Sequence, residues 1–155
     1  MLNRWFYINA AVLLFALWKV FTGYVALHVL LGLIGLLFFL YNWTRHAIFS
    51  TIRANIPRAR KIKYAKLSKK KLPFHKYTGT LALIVIGTHA TAVLHIYPFT
   101  LTHWKITSGI AALIALFLLV VFGWIRFFKT TYPVRIIHWT LAFVTFFLIC
   151  IHLFL

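Results

Sequence analysis

The chain has 155 residues, of which 63% are hydrophobic, and it carries 17 Lys or Arg but no Asp or Glu. Soluble domains contain roughly 45–50% apolar residues, so this excess predicts a chain whose outer surface faces lipid. The lack of carboxylates excludes paired-acid hydrolysis and carboxylate-rich metal sites. The basic residues border hydrophobic spans, which argues against nucleic acid as a partner.

Five runs of the sequence are predicted to be membrane helices, each of which needs about 20 mostly apolar residues. In chain order they cover residues 5–21, 24–43, 74–97, 104–128 and 132–155. Gly23 predicts a tight turn between the first two, and Pro73, Pro98 and Pro133 fall at predicted helix boundaries. The sequence therefore predicts an all-α integral membrane protein, a single domain built as a bundle of about five transmembrane helices.

The positive charges predict the orientation of this bundle. Eleven Lys or Arg lie between Arg45 and Lys76. Short connections rich in Lys and Arg stay in the cytoplasm, so residues 45–72 are predicted to form a basic cytoplasmic loop. In that orientation 15 of the 17 positive charges are inside, and only Lys19 and Lys105 are outside. The N-terminus is then cytoplasmic, the C-terminus lies outside the cell membrane, and helices three and five both run outward.

Four of the eight histidines form a regular pattern. His75 and His89 occupy positions i and i+14 of helix three, and His138 and His152 repeat this i, i+14 spacing in helix five. Such a step turns a helix by about 1400° and rises about 21 Å, so the two histidines of one helix share a face at different depths. Because the two helices run in the same direction, His75 should meet His138 at the inner side. His89 should meet His152 at the outer side.

Two imidazoles per level favour haem as the cofactor. Structural zinc needs about four protein ligands, whereas haem brings four nitrogens of its own and needs only axial ligands. The sequence therefore predicts two b-type haems, with His75, His89, His138 and His152 as ligands of the iron. Small residues on the same two faces are expected to leave room for the macrocycles; they are Gly79 and Ala82, followed by Ile86, and Ala142 and Thr145, followed by Ile149.

The remaining polar residues suggest secondary roles. Arg45, Lys76 and Arg135 at the inner level, and Lys105 at the outer level, are candidate partners for haem propionates, because the chain has no acid of its own. Three further histidines fall near the outer face and are expected to line the electron exit or to bind a further metal or haem; they are His28, His95 and His103. His46 is expected at the inner interface. No catalytic residue is predicted.

At the level of motifs, the chain resembles the ferric reductase-like transmembrane domain. The matching stretches are HKYTGTLALIVIGTH in helix three, HWTLAFVTFFLICIH in helix five and TSGIAALIALFLLVV between them. The resemblance covers roughly residues 24–155. It implies that His75 and His138 ligate an inner haem and that His89 and His152 ligate an outer one. It also implies that the basic connection docks a flavin-bearing donor domain.

These observations predict a membrane cytochrome that moves electrons from a cytoplasmic-side donor, through both haems, to an acceptor on the outer side. The sequence has no G-x-G-x-x-G motif for a dinucleotide, so a flavoprotein on another chain, or quinol, is expected to supply the electrons. The chain would then be the electron-transfer subunit of a transmembrane oxidoreductase, surrounded by membrane lipid. Two alternatives remain open, a quinone-reactive cytochrome b subunit of a respiratory complex and a non-redox membrane anchor.

Overall fold

The computed structural model describes residues 3–155, and all regular secondary structure in that range is helical. The helices are α1 (Arg4–Thr22), α2 (Leu27–Arg53), α3 (Arg58–Ile96), α4 (Trp104–Phe128) and α5 (Tyr132–Phe154). Each of the five is long and apolar enough to cross a membrane. The predicted all-α membrane bundle is thus confirmed. Residues 1 and 2 of the predicted domain lie outside the described residues.

The first helix is fixed at both ends by local chemistry. The side chain of Asn3 accepts a hydrogen bond from the Trp5 amide at 3.1 Å, which caps one of the unpaired N–H groups at the helix start. The same side chain donates to Ser50 Oγ at 2.9 Å and so ties the beginning of α1 to the end of α2. At the other end, Gly23 follows α1, and a Cβ there would come within 2.9 Å of the Lys19 carbonyl oxygen. The turn predicted at Gly23 is therefore present.

The predicted basic loop at residues 45–72 is helical instead. α2 continues to Arg53, only residues 54–57 separate it from α3, and α3 continues through Pro73. The loop was predicted from the run of positive charges, but Lys and Arg are good helix formers. Small or apolar side chains buried in this part of the hairpin hold the two helices together; they are Ala47, Ile48, Thr51 and Ser68.

This hairpin extends well past the apolar spans. A helix of 39 residues such as α3 is about 58 Å long, and the hydrocarbon core of a bilayer is about 30 Å thick. Pro73 lacks an N–H, so it leaves the Lys69 carbonyl without its helical donor, and α3 still passes through this position without a break. The basic residues therefore lie on a helical hairpin that is longer than a membrane span requires.

α2 lies at the centre of the bundle. Its side chains Leu36, Phe39, Leu40 and Trp43 form the buried core with residues of the other helices. Trp43 stacks on Phe146 of α5 with ring centroids 4.6 Å apart and an interplanar angle of 14°. Large apolar side chains point outward along all five helices, as lipid contact requires.

The packing order of the helices positions the site. α2 packs against α3, α4 packs against α5, and α3 packs against α4. α3 and α5 share no packing of that extent. The bundle therefore consists of two antiparallel hairpins, α2–α3 and α4–α5, with α1 packed against α2. The histidine-bearing helices α3 and α5 face each other across the boundary between the hairpins.

Candidate functional site

The structure brings the four patterned histidines together in two pairs. The rings of His75 and His138, here called the inner pair, have centroids 6.4 Å apart and an interplanar angle of 85°. The rings of His89 and His152, called the outer pair, are also 6.4 Å apart, at 76°. These names follow the predicted orientation. The depth pairing predicted from the helix directions is the pairing that the structure has.

The separation of the rings fits a metal bound between them. Two imidazoles that bind one metal from opposite sides through their Nε2 atoms, at about 2.0 Å each, have ring centroids about 6.3 Å apart. Both pairs match this spacing, and no hydrogen bond joins the two rings of either pair. Residues 3–155 contain no cluster of three or more His or Cys placed to hold a metal. Each level thus offers two nitrogen ligands, which suits axial ligation of haem better than a four-ligand zinc site.

The other ring nitrogen of each histidine is already occupied. Nδ1 of His89 donates to the carbonyl of His28 at 2.6 Å, Nδ1 of His138 to that of Leu119 at 3.1 Å, and Nδ1 of His152 to that of Lys105 at 3.0 Å. Nδ1 of His75 donates to the side-chain oxygen of Asn42 at 3.0 Å. Since Nδ1 carries the proton in all four rings, Nε2 is the unprotonated nitrogen that can bind a metal.

Three of the four rings lie in the same kind of socket. A Cβ at Gly32 would come within 3.1 Å of the His89 ring, one at Gly109 within 2.9 Å of the His152 ring, and one at Gly123 within 3.2 Å of the His138 ring. In each case the glycine lies four residues after the residue whose carbonyl accepts the Nδ1 proton; the pairs are His28 and Gly32, Lys105 and Gly109, and Leu119 and Gly123. Glycine leaves room for the imidazole to reach a helix carbonyl.

The glycines of these sockets were not among the predicted site residues, although their spacing in the sequence carries a signal. Gly109 and Gly123 have the same i, i+14 spacing on α4 as the histidines have on α5. A helix packed antiparallel to α5 must repeat any bracing element at that interval. Glycines on one helix and histidines on its neighbour with the same spacing therefore predict a paired site better than the histidines do alone.

The small residues between the ligands divide into two groups. Ala82 and Thr145, each midway between the two histidines of its helix, are the most buried, at 1% and 0% exposed. Ile86, in contrast, packs against the position of Gly35 on α2, and Gly79 faces Asn42. On α3, two of the residues predicted to leave room for the macrocycles, Gly79 and Ile86, therefore face α2.

The predicted propionate partners lie in different surroundings. The Arg45 guanidinium stands over the Phe49 ring at 5.6 Å, and its buried Nε atom has no hydrogen-bond partner among the described residues. Both Arg45 and Arg126 lie within electrostatic reach of His75. Arg126 was not singled out in the sequence. An arginine whose Nε is buried and unpaired beside the inner pair fits a carboxylate of a bound haem.

The other candidates are less directly placed. Lys76 Nζ lies 4.0 Å from the centre of the Phe127 ring and 5.5 Å from that of Trp124, which is a cation–π arrangement. Arg135 is exposed and stands over Tyr132 at 5.5 Å. Lys105 is exposed, and its backbone rather than its ammonium serves the outer pair. Their part in propionate binding stays a prediction.

The remaining histidines lie apart from the two pairs. The His46 ring packs against Trp5 and Trp43, with centroids 4.8 and 5.1 Å away. His28 contributes its carbonyl to the outer pair, and its own ring lies 6.4 Å from Tyr97. His95 and His103 are exposed, and within residues 3–155 they do not form a three-residue metal cluster with His28.

In comparisons with known proteins, no family model, no curated protein and no solved structure matches this chain.

Proposed function

We propose that this chain is a diheme b-type membrane cytochrome that carries electrons from a cytoplasmic donor to an acceptor on the outer side of the cell membrane. One observation supports this most strongly. Two histidine pairs lie about 21 Å apart along the helices, and each has the ring separation of a bis-histidine site. In all four rings Nδ1 donates to an oxygen, which leaves Nε2 free to bind a metal. Haem would supply a one-electron iron couple at each level.

The residues of the chain would hold and orient the cofactors. His75 and His89 on α3 face His138 and His152 on α5, and Nδ1 hydrogen bonds fix each ring in the tautomer that presents Nε2. Arg45, with its unpaired Nε, would bind a propionate at the inner level. Large apolar side chains are exposed along all five helices, so both histidine pairs would lie in a bundle surrounded by lipid.

The basic end of the α2–α3 hairpin supports a cytoplasmic donor with an acidic surface. A groove of about 730 Å³ lies between α1 and the basic part of α3. It is lined by Tyr7, Arg60, Lys63, Tyr64, Lys66, Leu67 and Lys70. Positive charge at this density attracts an acidic protein surface and increases the rate of association, and it also contacts anionic lipid. The same charges favour the cytoplasmic side for this end.

The test is the visible spectrum of the purified protein. We expect a reducible b-type spectrum and two haems per chain in a pyridine haemochrome assay. The double variant His75→Ala/His89→Ala should be colourless. As a control, His46→Phe, which keeps an aromatic ring between Trp5 and Trp43, should retain both haems.

The outcomes separate the competing functions. A helical, monodisperse protein that binds no haem when supplied with it would contradict the proposal and leave the membrane-anchor alternative. Rapid reduction of the isolated chain by a quinol, without any donor protein, would favour the quinone-reactive cytochrome b instead.

A further inference from the structure

The four histidines are braced by equivalent positions, and one of these positions differs from the other three. On α4 the bracing carbonyls of Lys105 and Leu119 have the i, i+14 spacing, and each is followed four residues later by glycine. On α2 the carbonyl of His28 and Gly32 brace His89. The same i, i+14 step along α2, from His28 to the level of His75, leads to Asn42 and, four residues later, to His46.

This fourth position cannot form the glycine socket. His46 stands where the other three positions have glycine, and its ring packs into the aromatic cluster with Trp43 and Phe143. A side chain at this position prevents the close approach to the helix backbone that glycine allows elsewhere. The bond to His75 comes from the Asn42 side chain instead, whose Oδ1 accepts from His75 Nδ1 at 3.0 Å.

A second donor holds the Asn42 side chain in place. The Thr78 hydroxyl, on the same helix as His75, lies 2.8 Å from Asn42 Oδ1 and also 2.8 Å from the carbonyl oxygen of Phe74, so the two acceptors share its single proton. The amide oxygen thus accepts from His75 and shares the Thr78 proton with a carbonyl of α3, and a Cβ at Gly79 would lie 3.5 Å from Asn42 Nδ2. The side chain is therefore enclosed by α3 and takes the place of a backbone carbonyl.

We propose that Asn42 is the positioning residue of the inner haem site and sets its reduction potential through His75. This inference rests on the proposed function. A backbone carbonyl cannot be changed by substitution, whereas a side-chain acceptor can be strengthened or removed. The inner level is thus the one at which a single residue of this chain tunes the electron donation of a ligand. Asn42 touches the ligand and not the iron, so it acts through His75.

Two substitutions at this position should act in opposite directions. Asn42→Asp keeps the shape and supplies a stronger acceptor, and the nearby positive charges of Arg45 and Arg126 favour its ionised form. A more basic imidazole stabilises ferric iron, so the midpoint potential of the inner haem should fall. Asn42→Leu removes the acceptor, so the potential should rise. Each shift should be about 59 mV, a tenfold change in the one-electron equilibrium constant, and Asn42→Leu should also bind the inner haem about tenfold more weakly.

The experiment is a potentiometric titration of the haem-loaded full chain, with the inner couple identified as the one that His75→Ala removes. The outer couple serves as the internal control, because helix carbonyls brace both of its ligands. Thr44→Val is the matched control on α2, because its hydroxyl donates only to the Tyr41 carbonyl, at 2.6 Å. The outer potential should stay at the wild-type value in both Asn42 variants, and Thr44→Val should leave the inner potential unchanged.

The inference fails if both Asn42 variants leave the inner potential at the wild-type value, or if they shift it equally and in the same direction, as a merely structural role would. Those results, obtained with two haems bound, would leave the proposed function intact. A wild-type chain that binds no haem would overturn both.

Discussion

The outer and inner histidine pairs have the same ring separation but are held in different ways. At the outer level both rings donate to helix carbonyls and lie against glycines, Gly32 and Gly109. At the inner level only His138 has such a socket, at Gly123, and His75 depends on Asn42. Both rings of the outer pair are therefore braced by the backbone, which substitution does not change, whereas one ring of the inner pair is braced by a replaceable side chain.

The surroundings of the two levels differ as well. The inner pair lies within reach of the positive charges of Arg45 and Arg126. The outer pair has the charges of Lys105 and Lys19 nearest to it, and Lys105 is exposed. Charges near the buried inner level are screened less by solvent than those at the exposed outer end. Two sites with equal ligand geometry can therefore differ in reduction potential because their charged surroundings differ.

The largest expected effect is the loss of one haem without the other. His89→Ala should remove the outer haem and His75→Ala the inner one, so that each variant binds about one haem per chain. The reason is that the pairs lie about 21 Å apart along α3 and share no bracing residue. A haemochrome assay with potentiometry measures the count and identifies the remaining couple. If either variant kept both haems, or if both variants lost both, the two levels would not be independent sites.

The next largest effect tests the glycine sockets. Gly109→Ala should weaken the outer haem most, because its Cβ would come within 2.9 Å of the His152 ring. Disturbed positioning of a ligand typically costs about 10–100-fold in metal affinity. Gly32→Ala should have the next largest effect, also on the outer haem, because its Cβ would come within 3.1 Å of the His89 ring. Gly123→Ala should weaken the inner haem, because its Cβ would come within 3.2 Å of the His138 ring.

Gly87→Ala is the matched control for this series. Nothing lies within 4 Å of a Cβ at Gly87, so this variant should keep both haems. It should also unfold at slightly higher temperature, since alanine favours a helix by about 1 kcal/mol over glycine. Equal haem loss in Gly87→Ala and Gly109→Ala would show that helix stability, not socket shape, governs binding.

Much of this arrangement could be predicted from the sequence because helix geometry is regular. The i, i+14 spacing, with the parallel direction of α3 and α5, was enough to pair His75 with His138 and His89 with His152. Asn42 could not be predicted, because its contact with His75 depends on the register between α2 and α3. That register depends on the short turn at residues 54–57 between α2 and α3, which lies within the segment predicted as a loop.

Side-chain direction was equally hidden in the sequence. Lys76 is adjacent to His75 and was predicted to meet a propionate, but it points to Phe127 and Trp124 of α4. Neighbouring residues of a helix project about 100° apart, so adjacency in sequence does not give a shared face. Arg45, on another helix, is better suited to bind a propionate, because its Nε is buried and unpaired among the described residues.

A smaller effect is expected from the buried charge at the inner level. Arg45→Gln should lower the midpoint potential of the inner haem by up to about 59 mV, a tenfold change in the equilibrium constant, because a nearby positive charge favours the reduced iron. The outer potential should move much less, since Coulomb energy falls with distance. Arg135→Gln is the control, because Arg135 is exposed and screened. Equal shifts at both levels would show that Arg45 acts through the fold.

The smallest effect compares the hydroxyl groups that accompany His75 and His152. His75 donates to Asn42 Oδ1 at 3.0 Å, and the Thr78 hydroxyl shares its proton between this oxygen and the Phe74 carbonyl, both at 2.8 Å. Ser108 and His152 both donate to the Lys105 carbonyl, at 3.0 Å each. Removing the hydroxyl leaves a helix carbonyl where it is but frees an amide side chain to rotate.

Thr78→Val should therefore shift the inner potential measurably, by a fraction of a tenfold step, and Ser108→Ala should leave the outer potential nearly unchanged. Potentiometric titration of both variants provides the comparison. An equal or larger shift for Ser108→Ala would mean that a backbone acceptor holds its ligand no better than the Asn42 side chain does. In that case the difference between the two levels would come from their charges alone.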